Sequence, residues 1–319
     1  MLGIAAVYCG LAMTNNELEG VTGVITEVIR YAIHDGPGIR TTIFVKGCPL
    51  RCRWCSNPET WELYPQIYFK ASLCREYGKC VEQCPAGVIG LNKDAKIDRR
   101  LCTLCMKCVE VCPHGALTIV GKKVTAREML GEVQKDRIFY RKSGGGVTIS
   151  GGEPLFQPDF VSAILSLCHR KGISTTLDTC GHAKPEIVKT VLENVDLVLL
   201  DIKHMDPVQH KKLTGLSNEL ILQNARLIAS CCNMRISLPL IKGINNDREN
   251  ILKTIEFAVS LGIESIDVEP LHEMGRSKYE MLGMKDPFSG FQRISSDDVD
   301  EVVKMIKSYG LKVTKGRTI

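Results

Sequence analysis

Residues 41–55 read TTIFVKGCPLRCRWC, an apolar, β-branched run that ends in a tight loop carrying Cys48, Cys52 and Cys55. The run has the character of a strand buried on both faces, and it sets a pattern that recurs. Strand-like runs at 146–150 (GVTIS), 173–178 (ISTTLD), 197–202 (LVLLDI), 234–240 (MRISLPL) and 265–269 (SIDVE) follow it. Helical patterns lie between or after them, at 126–138, 160–170, 185–193, 220–230, 248–260 and 298–309. Strands that alternate with helices build a parallel α/β structure. Nearly every strand is followed by a polar or glycine-rich group: the cysteine loop, GGEP, DTCG, DIKH and EPLH. Chemistry drawn from the C-terminal ends of several strands favours a barrel over an open doubly wound sheet. The expected fold class is α/β, a partial (β/α)6 TIM-like barrel.

Residues 66–118 break this pattern with seven cysteines, and a structureless connection of that length would be improbable. The expected organisation is a barrel from 21–65 and 119–319 with a ferredoxin-like iron–sulfur insert at 66–118. The second half of the insert, Cys102-x2-Cys105-x2-Cys108-x3-Cys112-Pro113, is the bacterial ferredoxin run, whose fourth cysteine reaches the other cluster. A structural zinc site is the competing view, although zinc knuckles usually separate their cysteine pairs by a longer loop. The first half, Cys74-Arg-Glu-Tyr77-Gly-Lys-Cys80-Val-Glu-Gln-Cys84-Pro85, is the same run with Tyr77 in place of the second cysteine. Crossed ligation then gives Cys84, Cys102, Cys105 and Cys108 to one cluster and leaves Cys74, Cys80 and Cys112 for the other. The three-cysteine set is open to several readings: an open or oxygen-ligated iron, a 3Fe–4S cluster, or no cluster. One or two auxiliary clusters are expected.

Composition excludes several classes. The chain has 319 residues and a formal charge of +5, from 41 Lys and Arg against 36 Asp and Glu, with no basic tract to suggest nucleic-acid binding. Fifteen cysteines would suggest disulfides in a small secreted domain. A long chain without a signal-peptide pattern points instead to cluster ligands in a reducing compartment, so a cytoplasmic protein is expected. The apolar start, 2–13, is too short to span a bilayer. It is read as part of a tail at 1–20, or as sequence upstream of a start at Met13, and no membrane association is expected.

Cys48-x3-Cys52-x2-Cys55 supplies three thiolates, enough to hold a 4Fe–4S cube with one iron left open to substrate, as catalytic metal sites keep an open position. The alternative is a zinc knuckle completed elsewhere. The triplet resembles the hallmark of the radical S-adenosylmethionine superfamily. With its flanks, IHDGPGIRT at 33–41 and FVKGCPLRCRWCSNPE, it resembles the glycyl-radical-enzyme activating enzymes, over residues 21 to 282. The insert resembles that of the larger activases of this family.

The resemblance implies a fourth iron chelated by S-adenosylmethionine, which one electron cleaves to a 5′-deoxyadenosyl radical that takes a Cα hydrogen from a partner's glycine. It sets Gly151, Gly152 and Glu153 against the methionyl amino group. It also groups Asp178, Thr179 and Asp201 around a monovalent cation, with Lys203 near the cosubstrate carboxylate. Two carboxylates ending adjacent strands need a cationic neighbour in any case, and a direct pair of Lys203 with either one is the alternative. Arg235, inside an apolar strand, needs a carboxylate, from the cosubstrate or from a structural ion pair. His272 resembles the family histidine beside ribose and adenine, against an ordinary loop histidine. The Asp35–Gly38 turn would receive the partner's C-terminal glycine loop, with Asp35 as the contact and Arg40 as its expected partner. Cys180 is expected to be a packed small residue. A reduced flavodoxin or ferredoxin is the expected electron donor and a monomer the expected state. The rivals are a radical enzyme acting on a small molecule or ribosomal peptide, and a pure electron carrier.

Overall fold

The computed structural model describes residues 13–90 and 96–316. The first twelve residues of the expected tail, Cys9 among them, lie outside the described residues. Its remainder is ordered: Asn15–Gly20 is a helix closed by a capping box between Thr14 and Glu17, with Leu18 packed into the core.

The strands, in chain order, begin with β1 (Thr22–Ala32), β2 (Arg40–Val45), β3 (Gln66–Phe69) and β4 (Leu117–Val120). There follow β5 (Lys122–Thr125), β6 (Gly146–Gly151), β7 (Ser174–Thr179) and β8 (Leu197–Asp201). The last are β9 (Met234–Leu240), β10 (Ser265–Pro270) and β11 (Lys312–Lys315). Among the described residues they form a nine-stranded sheet, ordered β11-β10-β9-β8-β7-β6-β2-β1-β5, and a two-stranded sheet of β3 and β4. Every pairing from β2 to β11 is parallel, whereas β1 runs antiparallel to both β2 and β5. Consecutive parallel neighbours without a reversal of order wind a barrel, not a doubly wound sheet. The end strands β5 and β11 do not pair, so the barrel is partial.

The six expected parallel strands are β2, β6, β7, β8, β9 and β10. Their outward side chains, such as Ile43, Val147, Ile149, Leu177 and Ile236, join the main core with residues from the covering helices. Three of those helices, Pro158–Arg170, Pro185–Leu192 and Pro207–Thr214, carry proline in the first turn, where its missing N–H costs nothing. Asp206 and Asp247 cap the helices that follow them, accepting from the amides of Gln209 at 2.8 Å and Asn250 at 2.9 Å.

The insert has its own core of Ile67, Phe69, Val88, Ile89 and Leu117. β3 and β4 close its two ends by pairing from Gln66↔Val120 to Phe69↔Leu117. Inside it, the sequence KCVE occurs twice as a short helix, Lys79–Glu82 and Lys107–Glu110. Each is preceded by a left-handed residue, Gly78 (φ 79°) or Met106 (φ 61°). Arg99 ties the insert to the barrel side, donating to Ile67 O at 2.7 Å and to Met281 O at 3.0 Å.

Candidate active site at the barrel mouth and lumen

The cysteine loop leaves the C-terminal end of β2 and is pinned from three sides. Gly47 N and Cys48 N donate to Thr60 O and Trp61 O, and Arg51 N and Arg53 N donate to Thr214 O and Leu213 O. The Tyr279 hydroxyl donates to Cys55 O at 2.9 Å. Cys52 is buried, and Cys48 and Cys55 are half-buried. Burial pushes all three thiols up, Cys52 to about 12, so they would ionise only against a cationic metal. They line a cavity of about 210 Å³ with Gly151, Gly152, Asp178, Asp201 and Lys203. Cys180 shares that wall but packs with Leu50, Trp54, Leu213 and Ile241. Three soft sulfur donors around an enclosed space, with a polar side left open, fit an iron–sulfur cube that binds a further ligand.

The glycines at the tip of β6 are required by the protein itself. A Cβ on Gly151 would lie 2.4 Å from Val45 N, and one on Gly152 would lie 2.4 Å from Gly47 O. Glu153 is 1% exposed. Its carboxylate accepts from Leu155 N at 2.9 Å, the Thr179 hydroxyl at 2.5 Å and Cys180 N at 2.8 Å, fastening the β6 loop to the end of β7. Asp178 accepts from the Ser150 hydroxyl at 2.6 Å. Burial, reinforced by the neighbouring Asp201, pushes Asp178 up to about 8. Asp201 pairs directly with Lys203 at 2.6 Å, the alternative to the cation reading. Although burial opposes its charge, the paired Asp201 carboxylate holds the Lys203 ammonium well above its usual range. Among the described residues Asp178 forms no ion pair, and no three His, Cys, Asp or Glu side chains converge on a single ion.

A second cavity, about 550 Å³, fills the lumen and shares Ser56, Asn57, Ser150, Asp178 and Asp201 with the first. Asp35 and His272 lie on its wall. Asp35 precedes β2 and the cysteine loop follows it, so the two face the lumen from opposite ends of one strand. The Asp35 carboxylate accepts from the Thr42 hydroxyl at 2.5 Å, and its carbonyl accepts from the Thr148 hydroxyl at 2.7 Å. Arg40 does not pair with that carboxylate. Its guanidinium, 1% exposed, donates to Thr148 Oγ1 at 2.6 Å, Val147 O at 2.5 Å, Pro37 O at 3.1 Å and Ser174 O at 3.2 Å. It thereby props the turn from beneath. Gly38 is needed there, because a Cβ would lie 2.5 Å from Gly145 N. The glycines 144–146 thus serve the start of β6 and the turn packed on it. His272 is half-buried, its Nδ1 has no hydrogen-bond partner among the described residues, and burial lowers its pKa so that the ring is neutral near pH 7. Arg235 forms an ion pair with Asp267 at 3.8 Å.

Sequence reasoning did not single out Ser150, Asp267, Glu269 or Lys278, all on the lumen wall. Asp267 and Glu269 sit two apart in SIDVEP, so alternation along β10 could have placed both on one face. Lys278 reaches Glu59 at 2.6 Å and Asn57 at 2.7 Å from a helix far along the chain, which no local pattern announces. In the insert, Cys84, Cys102, Cys105 and Cys108 line one small cavity, and Cys74, Cys80 and Cys112 line another with Tyr77, Lys96 and His114.

The family model of the Radical SAM superfamily matches residues 42–258. The choline trimethylamine-lyase activating enzyme of Oleidesulfovibrio alaskensis is 40% identical over 300 residues, 91% of this chain and 97% of that protein. The trans-4-hydroxy-L-proline dehydratase activating enzyme of Clostridioides difficile is 39% identical over 92% of this chain and 99% of its own. The (2S)-3-sulfopropanediol dehydratase activating enzyme of Klebsiella oxytoca is 42% identical over 82% of this chain and 86% of its own.

Proposed function

Because this chain belongs to the radical SAM superfamily, and within it to the activating enzymes of glycyl-radical enzymes, we propose a division of labour among its residues. When bound, the iron–sulfur cluster supplies the electron that splits S-adenosylmethionine into methionine and a 5′-deoxyadenosyl radical, which takes a Cα hydrogen from a glycine of the partner enzyme. Cys48, Cys52 and Cys55 would hold the cluster, leaving the polar side of their cavity for the cosubstrate. Gly151 and Gly152 seat the methionyl end, Glu153 fastens their loop from behind through Thr179 and Cys180 instead of reaching the cavity itself, and Lys203 stands beside the methionyl carboxylate. Asp178, Thr179 and Asp201 would surround a monovalent cation next to it once Lys203 turned from Asp201 toward that carboxylate; without that turn the Lys203–Asp201 pair stands in the cation's place. Neutral His272 flanks ribose and adenine, while Arg235 holds Asp267 in place. Asp35 meets the glycine-bearing loop, which must leave its home fold to come within contact distance. The insert carries auxiliary clusters and receives electrons from a reduced flavodoxin or ferredoxin. No helix among the described residues is long and apolar enough to cross a membrane.

The observation that carries this reading is the shared wall of the two cavities. Ser150, Asp178 and Asp201 belong to both the cysteine-lined space and the lumen, so a radical formed in one would lie directly beside the other. The test is anaerobic turnover with a partner whose glycine is α-deuterated. Deuterium should appear in 5′-deoxyadenosine, and Cys52→Ala should abolish both cleavage and transfer. A Cys52→Ala protein that formed 5′-deoxyadenosine at the wild-type rate would overturn the assignment.

A further inference from the structure

The two halves of the insert repeat a KCVE helix and a pair of left-handed residues before it. Glu76 (φ 58°) and Gly78 (φ 79°) flank Tyr77 as Leu104 (φ 55°) and Met106 (φ 61°) flank Cys105. Left-handed φ at three non-glycine residues is costly and persists only where surrounding structure or a ligand fixes it. The loop around Tyr77 has therefore kept the conformation of a cluster-wrapping loop although its cysteine is gone.

Lys96 is the independent observation. Its side chain lines the cavity of Cys74, Cys80 and Cys112, the residue is 4% exposed, and among the described residues its Nζ has no hydrogen-bond partner. The ring of Phe69 lies 6.0 Å from it. A cation–π contact does not offset the burial of an unpaired ammonium. The remaining wall charges, Arg75, Glu76 and Lys79, are exposed to water. An anion inside the cavity would satisfy Lys96, and three cysteines on the same wall indicate which kind. Tyr77 and His114, stacked at 5.3 Å with 15° between their rings, complete that wall.

We propose that Cys74, Cys80 and Cys112 hold an iron–sulfur cluster whose negative charge is balanced by Lys96, making it the higher-potential of the insert's two centres. The proposal rests on the reading of the insert as an iron–sulfur module. The physics is additive: one thiolate fewer and one buried ammonium more each favour the electron-rich form of a one-electron couple. One electron from the external reductant reduces the oxidised cluster, and on reoxidation the cluster hands that electron to an oxidised mediator.

The test uses the full chain with Cys48, Cys52 and Cys55 changed to Ser, so that only the insert binds iron. After anaerobic reconstitution with iron and sulfide, the protein is titrated with dithionite and dye mediators under EPR, with iron counted and Mössbauer spectra recorded. Two centres are expected, with about seven irons per chain for a 3Fe–4S and about eight for a 4Fe–4S site at the three cysteines. Lys96→Met should weaken electron affinity at the higher-potential centre at least tenfold, about 59 mV for one electron. Lys96→Arg should largely restore it, and Tyr77→Cys should lower the same midpoint by supplying a fourth thiolate. In the metal-free protein Lys96→Met should melt at a higher temperature than the parent, because the unpaired ammonium is gone. A single centre with about four irons, or two centres indifferent to Lys96→Met, would overturn the proposal and leave the module standing. Loss of both centres would remove the module and the proposal together.

Discussion

The Glu153 carboxylate accepts the Thr179 hydroxyl at 2.5 Å, so the GGEP loop and the end of the next parallel strand are a single hydrogen-bonded unit. Thr179 is 2% exposed and its oxygen also accepts from Gly181 N at 2.9 Å. Replacing Thr179 with Val keeps the shape and deletes both bonds. The metal-free protein should lose about 2 kcal/mol, the usual cost of removing a buried bond to a charged group. Affinity for S-adenosylmethionine should fall as well, since the loop that seats it loosens. Thr179→Ser should keep most of both. Denaturant melts and calorimetric titration read the outcome, and a Val variant as stable as wild type would show that the clamp contributes nothing.

Arg40 makes a second prediction. Its donors hold the carbonyls of Pro37, Val147 and Ser174 together beneath the Asp35 turn. Arg40→Met should cost about 3 kcal/mol and should speed hydrogen exchange at 35–39 well beyond that at β6. Arg40→Lys should not rescue it, because a single ammonium cannot reproduce the planar fork. Equal acceleration across the sheet would mean that Arg40 supports the barrel generally and not the turn.

The lumen carboxylates make folding sensitive to pH. Burial, followed by the fields of Asp267 and Asp201, raises Glu269 from an ordinary 4.5 to about 7. Between those values the folded chain holds a proton that the unfolded chain has released, so stability falls as pH rises through the window. The loss is on the order of 3 kcal/mol. Glu269→Gln removes this contribution, so the stability of the variant relative to wild type should grow from pH 5 to pH 7 and level off above. Denaturant midpoints of the metal-free proteins at matched pH would check it; a constant difference would refute the shift.

How much of this was legible beforehand depends on how local each signal is. β9 and the helix Arg248–Ser260 match the expected ranges to the residue, because an alternating apolar run and an Asp cap are written in consecutive positions. The six parallel strands were placed for the same reason. The helix expected at 126–138 is instead two, Ala126–Gln134 and Arg137–Ser143. Asp136 between them leaves helical geometry and turns its buried carboxylate to Arg30 and Thr41. β1 escaped notice because it mixes polar with exposed apolar residues and carries irregularities in its pairing. β5 and β11 escaped because KKVT and KVTK are lysine-rich, as edge strands are. The cysteine sets were readable from spacing alone. Which carboxylates converge on the lumen was not, since that depends on which face of β8 and β10 turns inward. Arg40 was read as Asp35's partner because the two are close in sequence, whereas the fold gives Asp35 to Thr42 and Arg40 to backbone carbonyls.

The sheet ends at β1 and β5 on one side and at β11 on the other, and Glu27, Ile29 and Tyr31 of β1 border the lumen cavity. A ring of staves closed all round can be entered only over its rim. With one stave missing, a segment tethered at both ends also has a way in from the side, so a client loop could be laid along the cavity and lifted out with less unravelling of the fold that carries it.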